Sequence, residues 1–438
     1  MTSELLRATI FHTPRNAFRE DALEAYSDGG LLIRNGKIAA CGDFAAVRAA
    51  HPNAEVKDWR GGFLLPGLID THIHFPQIRV IGSLGRTLLD WLEEAALPEE
   101  SRMADVNYAC QTAQTFVRAL AAYGTTTALV FGSHFAPATA CLFEAAAATG
   151  VRVISGLVVS DRLLRPDLHQ SPEVAYRDST KLIDEFHGRG RLLYAVTPRF
   201  ALSTSEAMLE VCQTLMREHQ GLRFQSHLNE NRQEITEVAR LFPWAEDYLG
   251  VYERFGLTGA RSVMAHNVHP CGSELERMAG TGTSVAHCPS SNAALGSGLF
   301  PLRSHLEAGV RCALGTDVGA GTSFSLLREG LQAYLMQRVM TDGMLLTGAH
   351  LLYLATRAGA EALGLDDEIG DFAPGKSADF VYVRPRSNTP FAAGVESAEL
   401  NKILAAIFAL AESDCVREVR VQGSAIYSND LSSADERG

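Results

Sequence analysis

No stretch of this sequence approaches the ~18 consecutive apolar residues that a membrane helix requires. The start, Met1-Thr-Ser-Glu-Leu-Leu-Arg, has no basic region leading into an apolar run of signal-peptide length. The expectation is a soluble, cytoplasmic protein with no membrane partner. Basic charge is also in short supply: 39 Lys and Arg stand against 51 Asp and Glu, a net charge of −12. A polyanionic phosphate backbone would be repelled, so nucleic acid is excluded as a partner. Eight cysteines are present, but none form a C-x-x-C pair and none follow the spacing of a small secreted scaffold. All eight are expected as reduced thiols, mostly packed as small apolar groups. Neither Gly nor Pro is enriched enough to imply long disordered tracts.

What remains is an ordinary globular composition, 46% hydrophobic and 21% charged over 438 residues. The length suits one large barrel with a smaller appended domain. The opening segment has β texture, with Asn35-Gly36 set between two apolar runs as a hairpin signal. From Leu68 onward, short β-branched apolar runs alternate with long Ala/Leu/Glu-rich stretches, the texture of repeated βα units. Eight such runs can be placed: Leu68–His74, Thr125–Phe131, Val151–Val159, Leu192–Pro198, Leu222–His227, Ser262–His266, Thr283–Cys288 and Val310–Asp317. Eight parallel strands fit an α/β fold of the (β/α)8 TIM-barrel type better than an open sheet. After about Ile369 the β texture returns. The two β-rich ends, 1–66 and 369–438, are each too short to cover a core and are expected to pair into one small β-sandwich beside a barrel over 67–368.

The chemistry gathers at the expected strand ends. Asp70-Thr-His72-Ile-His74 closes the first run, and positions i and i+2 of a strand share a face, so both imidazoles point into one space at the barrel mouth. A lone histidine there would more often be a satisfied core residue; a pair suits a metal. His227, His266 and Asp317 close the fifth, sixth and eighth runs. Imidazole and carboxylate ligands with an open position fit a catalytic zinc ion, although such ligands do not choose strongly between Zn2+, Fe2+ and other divalent ions. Asp317 could equally be a turn residue after a strand, but beside a metal its carboxylate can accept a proton from water. Glu230, three residues past His227, is placed to return towards the metal as a proton shuttle.

These residues resemble the amidohydrolase superfamily and, within it, the guanine deaminases. The general likeness is Pro66-Gly-Leu-Ile-Asp70-Thr-His72-Ile-His74 with His227, His266, Asp317 and the tail Gly370-Asp-Phe-Ala-Pro374-Gly375-Lys-Ser-Ala378-Asp379. The narrower likeness is His74-Phe-Pro-Gln77, Thr197-Pro-Arg199-Phe200, Ser226 to Glu234, His287-Cys-Pro-Ser-Ser-Asn292, Gly296 to Pro301 and Gly315 to Ser323. The resemblance implies one zinc on His72, His74, His227 and Asp317, with Glu230, Asp317 and His266 as catalytic groups. It further implies a guanine pocket lined by Gln77, Arg199, Phe200, His227, Glu230 and His266, guanine and water as partners, and a homodimer serving purine catabolism. Gln77 and Arg199 offer donors to a ring carbonyl, and Phe200 can pack on a flat ring. Related rings remain alternatives: isoxanthopterin, 8-oxoguanine or an aminotriazine. So does a catalytically silent barrel, whose mark would be missing ligands. Two stretches depart from the pattern. Glu93-Glu-Ala-Ala-Leu-Pro98 follows Trp91-Leu92, bearing on the outer wall of the pocket, and Asn267-Val-His269 follows His266, leaving the role of His269 open. The fourth run reads Ala195-Val-Thr-Pro-Arg199, without the lysine that bridges two metals in binuclear relatives, so a mononuclear site is expected.

Overall fold

A computed structural model describes residues 3–429. Residues 1–2 and 430–438, the outer ends of the two β-rich segments, lie outside the described residues. The chain begins with four strands, β1 (Ser3–His12), β2 (Glu24–Arg34), β3 (Lys37–Asp43) and β4 (Glu55–Pro66). Asn35 and Gly36 link β2 to β3 with φ of 51° and 74°. Positive φ at both central residues is what a tight hairpin turn of matching twist demands, and Asn-Gly supplies it with little strain.

The barrel follows: β5 (Leu68–His74), β6 (Thr125–Phe131), β7 (Arg152–Gly156), the two-residue β8 (Val158–Val159), β9 (Leu193–Pro198), β10 (Arg223–Leu228), β11 (Ser262–His266), β12 (Ser284–His287) and β13 (Arg311–Leu314). The path runs β5-β6-β7-β9-β10-β11-β12-β13 with parallel pairing throughout, and β8 pairs beside β9. The strands are buried along almost their whole lengths, as parallel strands covered on both faces must be. The third expected run, Val151–Val159, is therefore two pieces, interrupted at Leu157. Its backbone N–H is taken by the Tyr194 hydroxyl at 3.1 Å. The first and last strands close the ring at the mouth: Asp317 N donates to His72 O at 2.8 Å and His74 N to Val318 O at 3.0 Å.

The termini meet as expected. With β14 (Phe380–Val383), β15 (Val416–Val421) and β16 (Ser424–Ser428), the opening strands make one seven-stranded sheet in the order β16-β15-β14-β4-β1-β2-β3. β14 runs antiparallel to β4, with Phe380 opposite Pro66 and Val383 opposite Phe63, so the N- and C-terminal segments share one ladder. One core of this sheet packs Leu6, Ile10, Leu31, Leu64, Phe372 and Phe380, while Leu5, Leu32, Val47 and Ala54 form another.

The expectation for the cysteines fails at one pair. Cys110 and Cys141 are not free thiols but a disulfide, with Cα atoms 4.9 Å apart across 31 residues. They sit on the helices Val106–Ala122 and Ala136–Thr149, which pack side by side. Side-chain proximity between two helices is a tertiary fact that cysteine spacing along the chain cannot show. The other six are free, and Cys212, Cys288, Cys312 and Cys415 are buried as expected, whereas Cys271 is exposed. Among the described residues no helix is long and apolar enough to cross a membrane.

Candidate active site

Four ring or carboxylate groups converge where the barrel closes. His72 and His74 come from alternate positions of β5, His227 from the penultimate position of β10, and Asp317 from the loop three residues past β13 rather than from a strand end. His72 Nε2 lies 3.2 Å from His74 Nε2 and 3.2 Å from Asp317 Oδ1, and His74 Nε2 lies 3.3 Å from that same oxygen. The ligand atoms of His72, His74 and His227 all fall within 4.8 Å of one another. Ligands bound at 2.0–2.1 Å to one tetrahedral zinc ion stand about 3.3 Å apart. The spacing therefore fits a divalent metal, and the donor chemistry agrees. Burial lowers the His72 imidazole to a pKa of about 3 and drives His227 well down, so both are neutral with a lone pair to give. His227 Nδ1–H donates to Arg199 O at 2.6 Å, which turns its Nε2 lone pair inward. Burial opposes ionisation of Asp317, but the surrounding imidazoles of His72, His74 and His266 outweigh it and hold the carboxyl well below its usual range.

The backbone is bent to reach this arrangement. His266 and Asp317 have φ of 70° and 48°, in the left-handed region that costs a non-glycine residue about 1–3 kcal/mol. Hydrogen bonds hold both turns: Asn267 N to Leu228 O at 2.8 Å, and Gly321 N to Asp317 O at 2.6 Å. Beneath them, Asp70 accepts from His72 N at 3.1 Å, Thr316 N at 3.1 Å and Thr316 Oγ1 at 2.5 Å.

His266 lies between two carboxylates, its Nε2 3.5 Å from Glu230 Oε2 and 3.9 Å from Asp317 Oδ2. Its Nδ1 faces Asn292 Oδ1 at 2.9 Å. Because an amide oxygen only accepts, Nδ1 carries the hydrogen and Nε2 is left free towards the carboxylates or a bound molecule. Glu230 is 3% exposed, and burial together with the nearby Asp317 pushes its pKa up to about 8; the hydrogen bond from Ser297 Oγ at 3.1 Å acts the other way.

Above this floor lies a pocket. Gln77, Arg199 and Phe200 line it, together with the apolar Leu88, Trp91, Leu92 and Leu295. The divergent stretch after Leu92 is not part of that lining: Glu93 and Glu94 point to solvent, and Ala96 and Leu97 pack into the core. His269 stands outside the pocket lining, half-buried, with Nε2 2.7 Å from Ser297 O, and so braces the loop that brings Ser297 to Glu230.

Several residues of this site went unseen in the sequence: Asp70 as a clamp, Asn292, Ser297, and above all Glu100. Glu100 Oε1 accepts from Gln77 Nε2 at 2.7 Å and from Arg199 Nη2 at 2.8 Å. Asn292 and Ser297 fall in stretches already singled out by resemblance. Glu100 carries no such signal, since an acidic residue after Pro98 at the start of a short helix reads as a solvated first-turn residue.

The chain matches the model of the Amidohydrolase family over residues 63–426, and a shorter one, the imidazolonepropionase-like composite domain of bacteria, over 29–54. It is 56% identical over 435 residues to a probable guanine deaminase of Deinococcus radiodurans, covering 98% of this chain and 99% of the relative. It is 42% identical over 365 residues to the guanine deaminase of Escherichia coli, covering 83% of each. Among solved structures, E. coli guanine deaminase superposes with a TM-score of 0.92 at 37% identity, covering 98% of this chain and all of that one. Guanine deaminase from C. acetobutylicum with bound guanine in the active site superposes at 0.90 and 26% identity, covering 97% and 100%. The chain belongs to the amidohydrolase family and, within it, to the guanine deaminases.

Proposed function

We propose that this protein hydrolyses guanine to xanthine and ammonia, with one zinc ion held by His72, His74, His227 and Asp317. The observation that carries the reading is the placement of two buried carboxyls, Glu230 and Asp317, on either side of His266 in a pocket also lined by Gln77, Arg199 and Phe200, with burial raising the first and the surrounding imidazoles lowering the second. Carboxyls pushed apart by their surroundings are what acid and base roles require.

A divalent metal at the ligand cluster supplies Lewis acidity, making water at that point a stronger acid. Asp317, held ionised, accepts the proton that water gives up. Glu230, raised to about 8, keeps its own proton at neutral pH and delivers it to the ring nitrogen beside the carbon under attack, so no full negative charge builds up on the ring. His266 Nε2, between the two, holds the attacking oxygen in line. Asp317 then returns its proton to the departing amine; as ammonia leaves, the hydroxyl on that carbon becomes a carbonyl, and the proton it gives up restores Glu230. Gln77 and Arg199 donate to the ring carbonyl while Phe200 covers a face, and the apolar wall of Leu88, Trp91, Leu92 and Leu295 excludes bulk water.

Homodimer formation in solution belongs to the same reading. It is supported by the exposed Leu335, Val339 and Leu345 on and just past the helix Leu326–Val339. Sedimentation at micromolar concentration tests it, and a monomer would refute it. The decisive experiment for the activity is a metal-content assay run beside turnover of guanine, adenine, cytosine and isoxanthopterin. Ammonia release from guanine above the other rings is the expected result. A zinc-loaded sample inert towards guanine would refute the substrate assignment.

A further inference from the structure

Two polar residues of the pocket lining, Gln77 and Arg199, converge on Glu100, which is 4% exposed and takes no part in the chemistry above. Besides its contacts with Gln77 and Arg199 Nη2, its Oε2 lies 3.4 Å from Arg199 Nε and 3.5 Å from His134 Nδ1. An ionised carboxylate only accepts, so the Gln77 group that meets Glu100 is its NH2. On the other side Gly319 N–H, which only donates, meets Gln77 Oε1 at 3.1 Å. These two contacts together exclude the flipped amide. The Gln77 side chain therefore has one N–H hydrogen left for a ligand, and Arg199 has its Nη1 end. Both are donors, suited to a ring carbonyl and unsuited to a ring amine.

Charge matters as much as geometry. Arg199 is 3% exposed, and a buried guanidinium without a partner would attract an anion strongly. Here the partner is already in place. Burial works against ionisation of Glu100, but Arg199 at hydrogen-bond distance outweighs it and helps hold the carboxyl down at about 2, while burial lowers His134 to about 4, so the Arg199–Glu100 edge is net neutral near neutral pH.

We propose that Glu100 is a specificity-setting residue: by fixing Gln77 and Arg199 as donors and cancelling the guanidinium charge, it selects a neutral ring bearing a carbonyl on that edge over an anionic one. The proposal rests on guanine deamination and deepens it. Xanthine, with a second carbonyl where guanine carried its amine, ionises more readily than guanine. An edge with no net positive charge adds no pull on that anion, so Glu100 favours substrate over product.

The test uses the metal-loaded protein and two variants, Glu100→Gln and Glu100→Asp, with metal content and circular dichroism measured beside kinetics. Glu100→Gln is expected to raise KM for guanine by about 10-fold, the scale of a lost charge-assisted hydrogen bond, with a smaller change in kcat. It is also expected to tighten inhibition by xanthine by about 10-fold at a pH where xanthine is anionic, with no tightening where it is neutral. Glu100→Asp keeps the charge but withdraws it from Gln77 by one methylene. It is expected to raise KM while leaving xanthine inhibition as in the wild type, and it decides the matter alone if Glu100→Gln does not fold. Wild-type KM in either folded, metal-loaded variant overturns the proposal, as does unchanged xanthine inhibition in Glu100→Gln or altered inhibition in Glu100→Asp. Loss of a generic structural support would not separate neutral from anionic ligands. A wild-type protein without guanine turnover would instead refute the underlying activity.

Discussion

Thr316 ties Asp70 from the opposite end of the barrel: its Oγ1–H reaches Asp70 Oδ2 at 2.5 Å and its N–H reaches Oδ1 at 3.1 Å, across 246 residues of sequence. Asp70 precedes His72 by two residues and Thr316 immediately precedes Asp317. One carboxylate thus sets the distance between the two halves of the candidate metal site.

Thr316→Val removes the hydroxyl while keeping the side-chain shape, and leaves Asp70 Oδ2 without that donor. Supporting residues of this kind contribute about 10–100-fold to metal affinity. We expect metal affinity to fall within that range, measured by competition with a chromophoric chelator. Unchanged affinity would show that ring closure at Asp317 N and His72 O suffices by itself.

Metal removal should act on stability as well as on activity. Without a cation, His72 Nε2, His74 Nε2 and Asp317 Oδ1 stand 3.2–3.3 Å apart around one point, and a bound metal adds RT ln(1 + [L]/Kd) to stability, about 4 kcal/mol at a thousandfold excess over Kd. Dialysis against a strong chelator is expected to abolish turnover and lower Tm by several degrees, and adding back zinc should restore both. Reconstitution in parallel with Fe2+ and Zn2+ will show which ion gives the greater turnover.

The parts of the site that the sequence revealed share one property: their partners are close in sequence or fixed by strand geometry. His72 and His74 alternate on one strand, and His227 and His266 stand at the ends of runs whose texture is plainly β. Asp317 does stand beside His72 and His74, but in a loop and not at a strand end, because the last strand stops at Leu314 and a left-handed turn carries the chain onward. Glu100 could not be found that way. Its meaning depends on Gln77, 23 residues before it, and Arg199, 99 residues after it, and only the closed barrel puts the three together. The Cys110–Cys141 pairing was hidden for the same reason. The sheet of the small domain, by contrast, was legible as a whole, since two β-rich ends flanking a barrel have no other way to bury their apolar faces.

Gly319 tests how tightly the substrate side of the pocket is packed. A Cβ added there would lie 2.3 Å from Gln77 O and 2.8 Å from Val80 Cγ2, closer than any relaxed contact. Backbone cannot yield as the end of a flexible side chain would. Gly319→Ala should therefore push away the segment that carries Gln77 and break the Gly319 N–H contact to its amide. The expected result is a KM for guanine raised by about 10-fold or more, with metal content unchanged. A fall in kcat at constant KM would instead mean that the disturbance had passed to His74.

Glu230 gives the reaction its alkaline limit. Its proton is required for transfer to the ring, so turnover should fall as pH rises through about 8, the value to which burial and the neighbouring Asp317 lift this carboxyl. The hydrogen bond from Ser297 Oγ favours the ionised form and so pulls that value down. Ser297→Ala removes it, and the sign follows: the carboxyl keeps its proton to higher pH, and the alkaline limb of kcat moves upward by several tenths of a pH unit to about one. At neutral pH kcat should fall even so, because Glu230 Oε1 loses the contact that fixes its orientation. His269→Ala, which frees the Ser297 loop without touching Glu230, should produce the same two changes in weaker form. An unmoved alkaline limb in Ser297→Ala, with the acid limb shifted upward in its place, would mean that Glu230 acts as a carboxylate throughout.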